Sequence, residues 1–108
     1  MEITGVGWKK IAETDVLLDA GLSIDFGALL VTPHTKLRGS MKADQSGSLV
    51  ISQSINGSDF DVKDQINIYA GSGQGFVIDI IAPWVNIFFL NTGMAQGYFR
   101  LTVFSCAL

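Results

Sequence analysis

An all-β fold is what this sequence predicts: a single-domain antiparallel β-sandwich of jelly-roll-like type with an irregular N-terminal segment. Three observations carry the prediction. From Thr35 onward, runs of six to nine strand-forming residues recur between Gly, Asn, Asp and Pro punctuation, which is the sequence signature of a sandwich or barrel. A length of 108 residues is one domain's worth, since single domains most often run to roughly 100–150 residues. No repeat, Pro-rich linker or low-complexity block divides the chain, and Pro33 and Pro83 stand at segment boundaries. Residues 1–14 accordingly read as an arm or irregular segment and residues 15–108 as the sandwich.

At the N-terminal end, residues 9–19 carry no clean period and suit a short helix or an extended arm, with the irregular segment preferred. Residues 16–19 and 23–31 are candidate strands around Gly21. Lys36–Ala43 and residues 48–54 form the first well-defined pair, joined by Asp44-Gln45-Ser46-Gly47, where Gly47 is expected to supply a positive φ. Leu49, Ile51 and Gln53 alternate with Val50, Ser52 and Ser54, so the first set is assigned to the core. Asn56-Gly57 is a hairpin signal followed by a short segment over residues 59–62, and a further strand over residues 65–70 places Ile66 and Ile68 on one face. The glycine-rich turn of residues 71–75 leads into residues 76–81, Pro83 breaks the run, and Trp84–Asn91 is the next strand. These two strands are apolar on both faces. Residues 92–97 turn the chain into a last strand over 98–106, where Phe99, Leu101 and Val103 alternate with Arg100 and Thr102.

Composition excludes several functions. Hydrophobic residues make up 48% of the chain even before its 12 glycines are counted, and charged residues 16%, against averages of about 45–50% with glycine included and about 25%. The excess predicts that part of the surface is covered by other subunits. A net charge of -3 with only seven Lys plus Arg, scattered along the chain, leaves no electrostatic footprint for nucleic acid. The single cysteine, Cys106, makes neither an internal disulfide nor a four-ligand zinc site, and reads as a buried small hydrophobe. Residues 1–4 lack the basic and apolar regions of a secretory signal. The longest apolar tract, residues 78–90, is interrupted by Asp79, Pro83 and Asn86 and is too short to span a bilayer, so no membrane partner is expected.

Candidate chemistry fares poorly against plainer readings. Residues 71–76 superficially resemble a phosphate loop, but they lead into a strand and not into the helix N-terminus that such a loop needs. Asn56, Ser58, Asp59, Asp61 and Asp64 have oxygen spacing suited to calcium. Yet no glutamate closes the loop and no helices flank it, and turn residues bonding their own backbone explain the same pattern. His34 is the one histidine, and no Ser or Cys with an acid partner is recognisable by spacing, so nucleophilic catalysis has no support. The expectation is a non-enzyme with no cofactor and no metal. Most aromatics sit at core spacing. Trp8 differs, isolated in a polar segment beside Lys9 and Lys10, and suits an anchor on a neighbouring subunit or a plug for one end of the sandwich.

The run Asp44-Gln45-Ser46-Gly47 with the apolar strand after it, then Asn56-Gly57-Ser58-Asp59-Phe60-Asp61, then Ala82-Pro83-Trp84, Asn91 and Arg100-Leu101, resembles small β-sandwich structural proteins of tailed bacteriophages. The resemblance covers residues 36–103, and the N-terminal third has no counterpart in it. It implies a non-enzymatic virion component: a decoration or auxiliary head protein on the capsid surface, a head-fibre subunit or a small tail appendage, with the first preferred as a homo-oligomer, a trimer favoured, whose partner is the major capsid protein. The alternative is a carbohydrate-binding adhesion module of a tail fibre or baseplate. The residues assigned to subunit or capsid contacts are Trp8, Lys9, Lys10 and Ile11 in the arm, with Phe88 and Phe89 on the second side of a strand.

Overall fold

Alternation of apolar and polar residues is realised as eight strands in the computed structural model, which describes residues 8–107. They are β1 (Lys9–Thr14), β2 (Ser23–Leu30), β3 (Lys36–Ala43), β4 (Gly47–Ser54), β5 (Val62–Ile68), β6 (Gly73–Asp79), β7 (Trp84–Asn91) and β8 (Phe99–Cys106). Two four-stranded sheets have the orders β1-β8-β3-β6 and β2-β7-β4-β5, with every pairing antiparallel. Only β4 and β5 are both consecutive and paired; every other connection crosses from one sheet to the other. That alternation is the jelly-roll-like sandwich the strand spacing predicts.

The core lies between the sheets. Leu37, Met41, Phe99, Leu101 and Val103 face inward from one, and Leu49, Ile51, Ile68, Val85, Ile87 and Phe89 from the other, all at most 2% exposed. Phe89 and Phe99 meet across the gap with ring centroids 4.6 Å apart, an aromatic contact that adds to their area burial. The slab measures 38 × 36 × 17 Å, so both broad faces are sheet surfaces close to the core.

Four expectations need correction. β3 and β4 belong to different sheets, so residues 44–46 form an arch between layers and not a hairpin turn. Gly47 does not have a positive φ; Gly21, Gly27, Gly57 and Gly71 do. A Cβ at Gly47 would lie 2.4 Å from the Phe89 ring and 2.9 Å from the Leu90 carbonyl oxygen, so the position is glycine because Phe89 lies over it. Of the expected arm, residues 1–7 lie outside the described residues, while Lys9–Thr14 is an edge strand pairing Lys9 with Ser105 through Thr14 with Leu101. Residues 16–19 are not strand.

β1 escaped the sequence reading because its alternation is broken where the register shifts between Lys10 and Ala12. It nonetheless contributes the buried Ala12 and Thr14, and it covers the edge of β8. Deleting residues 1–12 is therefore expected to lower the melting temperature by about 10 °C or more, because loss of an edge ladder and its buried side chains amounts to roughly 2 kcal/mol. Thermal unfolding followed by circular dichroism checks this, and an unchanged melt would return these residues to the role of a dispensable arm.

The long connections are pinned by buried amides. Gln53, 2% exposed, accepts from the Ile81 and Ala82 backbone N–H groups at 2.8 and 3.2 Å and donates to the Asp79 carbonyl at 2.9 Å. Asn91 does the same for the two loops at the other end, bonding Leu18 and Asp19 on one and Gly93 and Met94 on the other. Asp44 accepts from the Gly97 backbone N–H at 2.8 Å and Gln45 from that of Met94 at 3.0 Å. The Asp44-Gln45 step thus grips the β7–β8 connection. A Cβ at Gly93 or Gly97 would lie 2.7 Å from Gln45 Oε1 or 2.6 Å from Asp44 Oδ2, which accounts for both glycines.

Candidate functional site

No nucleophile, base and acid converge among the described residues. The fold does bring a serine to the one histidine: His34 Nδ1 and Ser105 Oγ lie 2.5 Å apart in a hydrogen bond. Ser105 is only 1% exposed, however, and the hollow of about 300 Å³ beside His34 is walled by Thr32, Pro33, Ile80, Ile81, Ala82 and Pro83, with no carboxylate to orient the imidazole. The pair fastens the β2–β3 loop to β8. The oxygen-rich loop is likewise committed to its own backbone. Asn56 Oδ1 accepts from the Ser58 and Asp59 N–H groups at 2.9 and 2.8 Å, and Asn56 Nδ2 donates to Asp59 at 2.9 Å. Among the described residues no group of three or more His, Cys, Asp and Glu side chains is placed to hold a metal.

What the fold does assemble is two contrasting faces. On the outside of β1-β8-β3-β6, register places Lys10, Phe104, Arg38 and Val77 in one row across the four strands, and Glu13, Thr102, Ser40 and Gly75 in the next. Lys42 then stands directly opposite Arg100. Trp8 meets Phe104 edge-on at a centroid distance of 5.8 Å, and the Arg38 guanidinium sits 5.7 Å from the centre of its ring, a cation–π arrangement. Trp8, Arg38, Phe76, Val77, Thr102 and Phe104 line an open cleft of about 510 Å³.

Five of the seven Lys and Arg residues, Lys10, Lys36, Arg38, Lys42 and Arg100, share this one face. The strands carry two acids there, each already bonded to a lysine: Glu13 to Lys10 at 3.1 Å and Asp79 to Lys36. Scattered in sequence, the bases converge because Lys36, Arg38 and Lys42 of β3 and Arg100 of β8 all stand at even-numbered positions, which share one side of the paired strands. Sequence reading missed this patch; the period-2 spacing of Lys36, Arg38 and Lys42 along one strand was the signal that pointed to it.

The outside of β2-β7-β4-β5 is different. Asp25, Phe88, Val50 and Gln65 form one row, and Ser23, Leu90, Ser48 and Asn67 another. Ser48 donates to Asn67 at 3.0 Å and Asn86 to Asp25 at 2.9 Å, so half-buried Phe88 and Leu90 are bordered by a polar side-chain network.

The sequence-assigned contact residues are therefore divided. Trp8 and Lys10 belong to the basic face, with Lys9 exposed on the same edge strand and Ile11 at its register shift, half-buried against the core. Phe88 lies on the opposite face of the slab. Phe89 is on neither: it is fully buried between the sheets, because neighbouring residues of a strand point to opposite sides. Nor is the two-sided apolar region one surface, since β6 and β7 belong to different sheets; exposed Val77 and half-buried Phe88 point out of opposite faces.

Comparisons with known proteins agree on the fold. The chain is similar to the PBSX exported protein XepA, with a TM-score of 0.78 and 19% identity over 94% of this chain and 37% of that one. It is also similar to a chain of the Bacillus endospore appendages described as a novel family of disulfide-linked pili, with a TM-score of 0.53 and 18% identity over 100% of this chain and 97% of that one. The chain spans little more than a third of the length of XepA. No curated protein matches it. The family model described as "Uncharacterised protein YqxG N-terminal domain" matches residues 18–105, from the loop pinned by Asn91 through almost all of β8. With most of its length matched, the chain belongs to the YqxG N-terminal domain family.

Proposed function

We propose that this chain is a non-enzymatic structural module of an exported or virion-borne assembly, acting by packing its sheet faces against further copies and a larger shell. One observation carries the reading: the exposed side chains converge into two extended faces and not into a chemical centre. The similarity to an exported protein and to a pilus-forming chain supports it. The disulfide linkage named for the pili has no counterpart on this surface, because Cys106, the one cysteine of the sequence, is fully buried. Assembly here rests on packing and charge.

In its narrower form the proposal is a capsid decoration or auxiliary head protein of a tailed bacteriophage, a homotrimer seated on the major capsid protein. That form rests on the resemblance over residues 36–103. A sugar platform is the weaker alternative, because the Arg38 guanidinium already sits over the Trp8 ring and Phe104 meets that ring edge-on. Incubating the purified chain with empty heads and, separately, with a glycan array decides between them. Co-sedimentation with heads as an oligomer is the expected result. Glycan binding without head binding would establish the adhesion module, and a monomer that binds neither would overturn the structural reading.

A further inference from the structure

We infer that the outer face of β1-β8-β3-β6 is the receiving half of a head-to-tail contact whose entering half is the acidic β4–β5 loop of a second copy of this chain. The inference rests on the assembling role proposed above and names the surfaces that perform it. The receiving face is basic on an acidic protein: five bases against two strand acids, on a chain of net charge -3. One end of it holds an arrangement that the monomer does not favour. Lys42 and Arg100 are directly opposed on adjacent strands, and like charges so placed repel. Neither has a carboxylate within ion-pair distance among the described residues, although Glu13 and Asp15 stand at the rim of the hollow beside Arg100. Glycines at 73 and 75 keep the β6 side low, so Lys42 and Arg100 open onto a hollow of about 390 Å³. The aromatic cleft of Trp8, Phe104 and Val77 adjoins it, with Ser40 and Thr102 lining both.

The β4–β5 loop carries the complement. Ile55 is 83% exposed, the highest value among the large hydrophobic side chains of the described residues. Asp59 and Asp61 follow it in the loop and Asp64 stands near the start of β5, all three exposed, with Lys63 the one base among them. The loop is already ordered: Ser54 Oγ accepts from the Gly57 N–H at 2.9 Å and Asn56 accepts from the next two, so docking immobilises little further backbone. An apolar knob bordered by carboxylates matches an apolar cleft bordered by Lys42 and Arg100. A simple polyanion would use the charges and leave the aromatic cleft empty, which is why the occupant is assigned to a protein loop. The loop belongs to the sheet opposite the receiving face, so the contact joins two different patches and propagates as a ring or an open filament.

Sedimentation velocity of the full chain tests this with two charge-reversed variants, Lys42→Glu/Arg100→Glu and Asp61→Lys/Asp64→Lys. The second leaves Asp59 and its turn bond to Asn56 untouched. Both are surface changes, and cooperative melting verifies that each folds. Each variant alone is expected to associate at least about tenfold more weakly than wild type, and wild-type association is expected to fall between about 50 mM and about 500 mM salt. Mixing the two variants is expected to restore association, because each reversed patch then meets its reversed partner. Wild-type assembly unaffected by both variants, or no recovery on mixing, overturns the assigned surfaces while the assembling reading stands. A wild-type chain that stays monomeric and binds no heads overturns both. Retention of inorganic polyphosphate by wild type but not by the Lys42→Glu/Arg100→Glu variant, with assembly unchanged, would make the face a polyanion site and reject the loop as its occupant.

Discussion

Replacing Phe89 by alanine is expected to destabilise the fold by about 3–5 kcal/mol, the range for deleting a large buried aromatic, whereas Phe88→Ala next to it is expected to cost about 1 kcal/mol or less. The contrast comes from one residue of register. Phe89 is fully buried, stacks on Phe99 from the opposite sheet at 4.6 Å and lies over Gly47. Its removal therefore opens a cavity between the two sheets beside the start of β4. Phe88 points outward between Asp25 and Val50 and keeps part of its surface in solvent. Urea titrations of both variants measure the difference. Similar losses for the two would contradict the assigned strand orientation, and a small loss for Phe89→Ala would mean that the Gly47 arch collapses into the space. Since a domain of this size has roughly 5–15 kcal/mol of stability, Phe89→Ala removes a large share of the total.

The second large effect is expected at Asn91. Its side chain is fully buried and closes two loops at once, with Nδ2 directed to the carbonyls of Leu18, Asp19 and Met94 at 3.1, 3.1 and 2.7 Å and Oδ1 accepting from the Gly93 N–H at 3.0 Å. Gln96 Oε1, accepting from the Leu18 N–H at 2.8 Å, continues the same network. Asn91→Ala leaves these backbone groups without their partner inside the fold, and an unsatisfied buried polar group costs about 1–3 kcal/mol. With several stranded together, a loss of about 3 kcal/mol or more is expected. Hydrogen exchange should show the effect locally, as faster exchange at Leu18 and Gly93 with β3 and β4 less affected. Uniform acceleration across all strands would mean that Asn91 supports the core and not the loops. Leu18 and Asn91 both lie within residues 18–105, the stretch that the family model matches.

Legibility in the sequence varied with the range of the interactions that define each element. β3 and β7 have the bounds that the sequence predicts, because Leu37, Met41 and Ala43, and Val85, Ile87, Phe89 and Asn91, alternate into the core, with Gly39 alone on that side of β3 only partly buried. β5 and β6 were displaced. The tract of Val62, Lys63 and Asp64 looks like a polar turn, yet it pairs with Gln53, Ser52 and Ile51. Glycines 73 and 75 look like punctuation, yet they pair with Lys42 and Ser40. In both cases a partner strand overrides local propensity. β2 carries its own disguise, a kink where Gly27, at φ 77, donates to Asp25 Oδ1 at 2.8 Å and the register against β7 shifts.

The punctuated strands and their alternation determine, from the sequence by itself, an all-β sandwich. They do so because composition and period-2 alternation are local properties, readable within a few residues of the chain. Tertiary structure alone decided which faces exist. It carried β1 across to pair with β8, sent Phe88 and Val77 to opposite sides of the slab, and gathered bases from positions 10 to 100 onto one sheet. A jelly-roll-like order separates neighbours in sequence and unites residues far apart, so the charge that looks scattered along the chain becomes a patch only when the strands are ordered across the sheet.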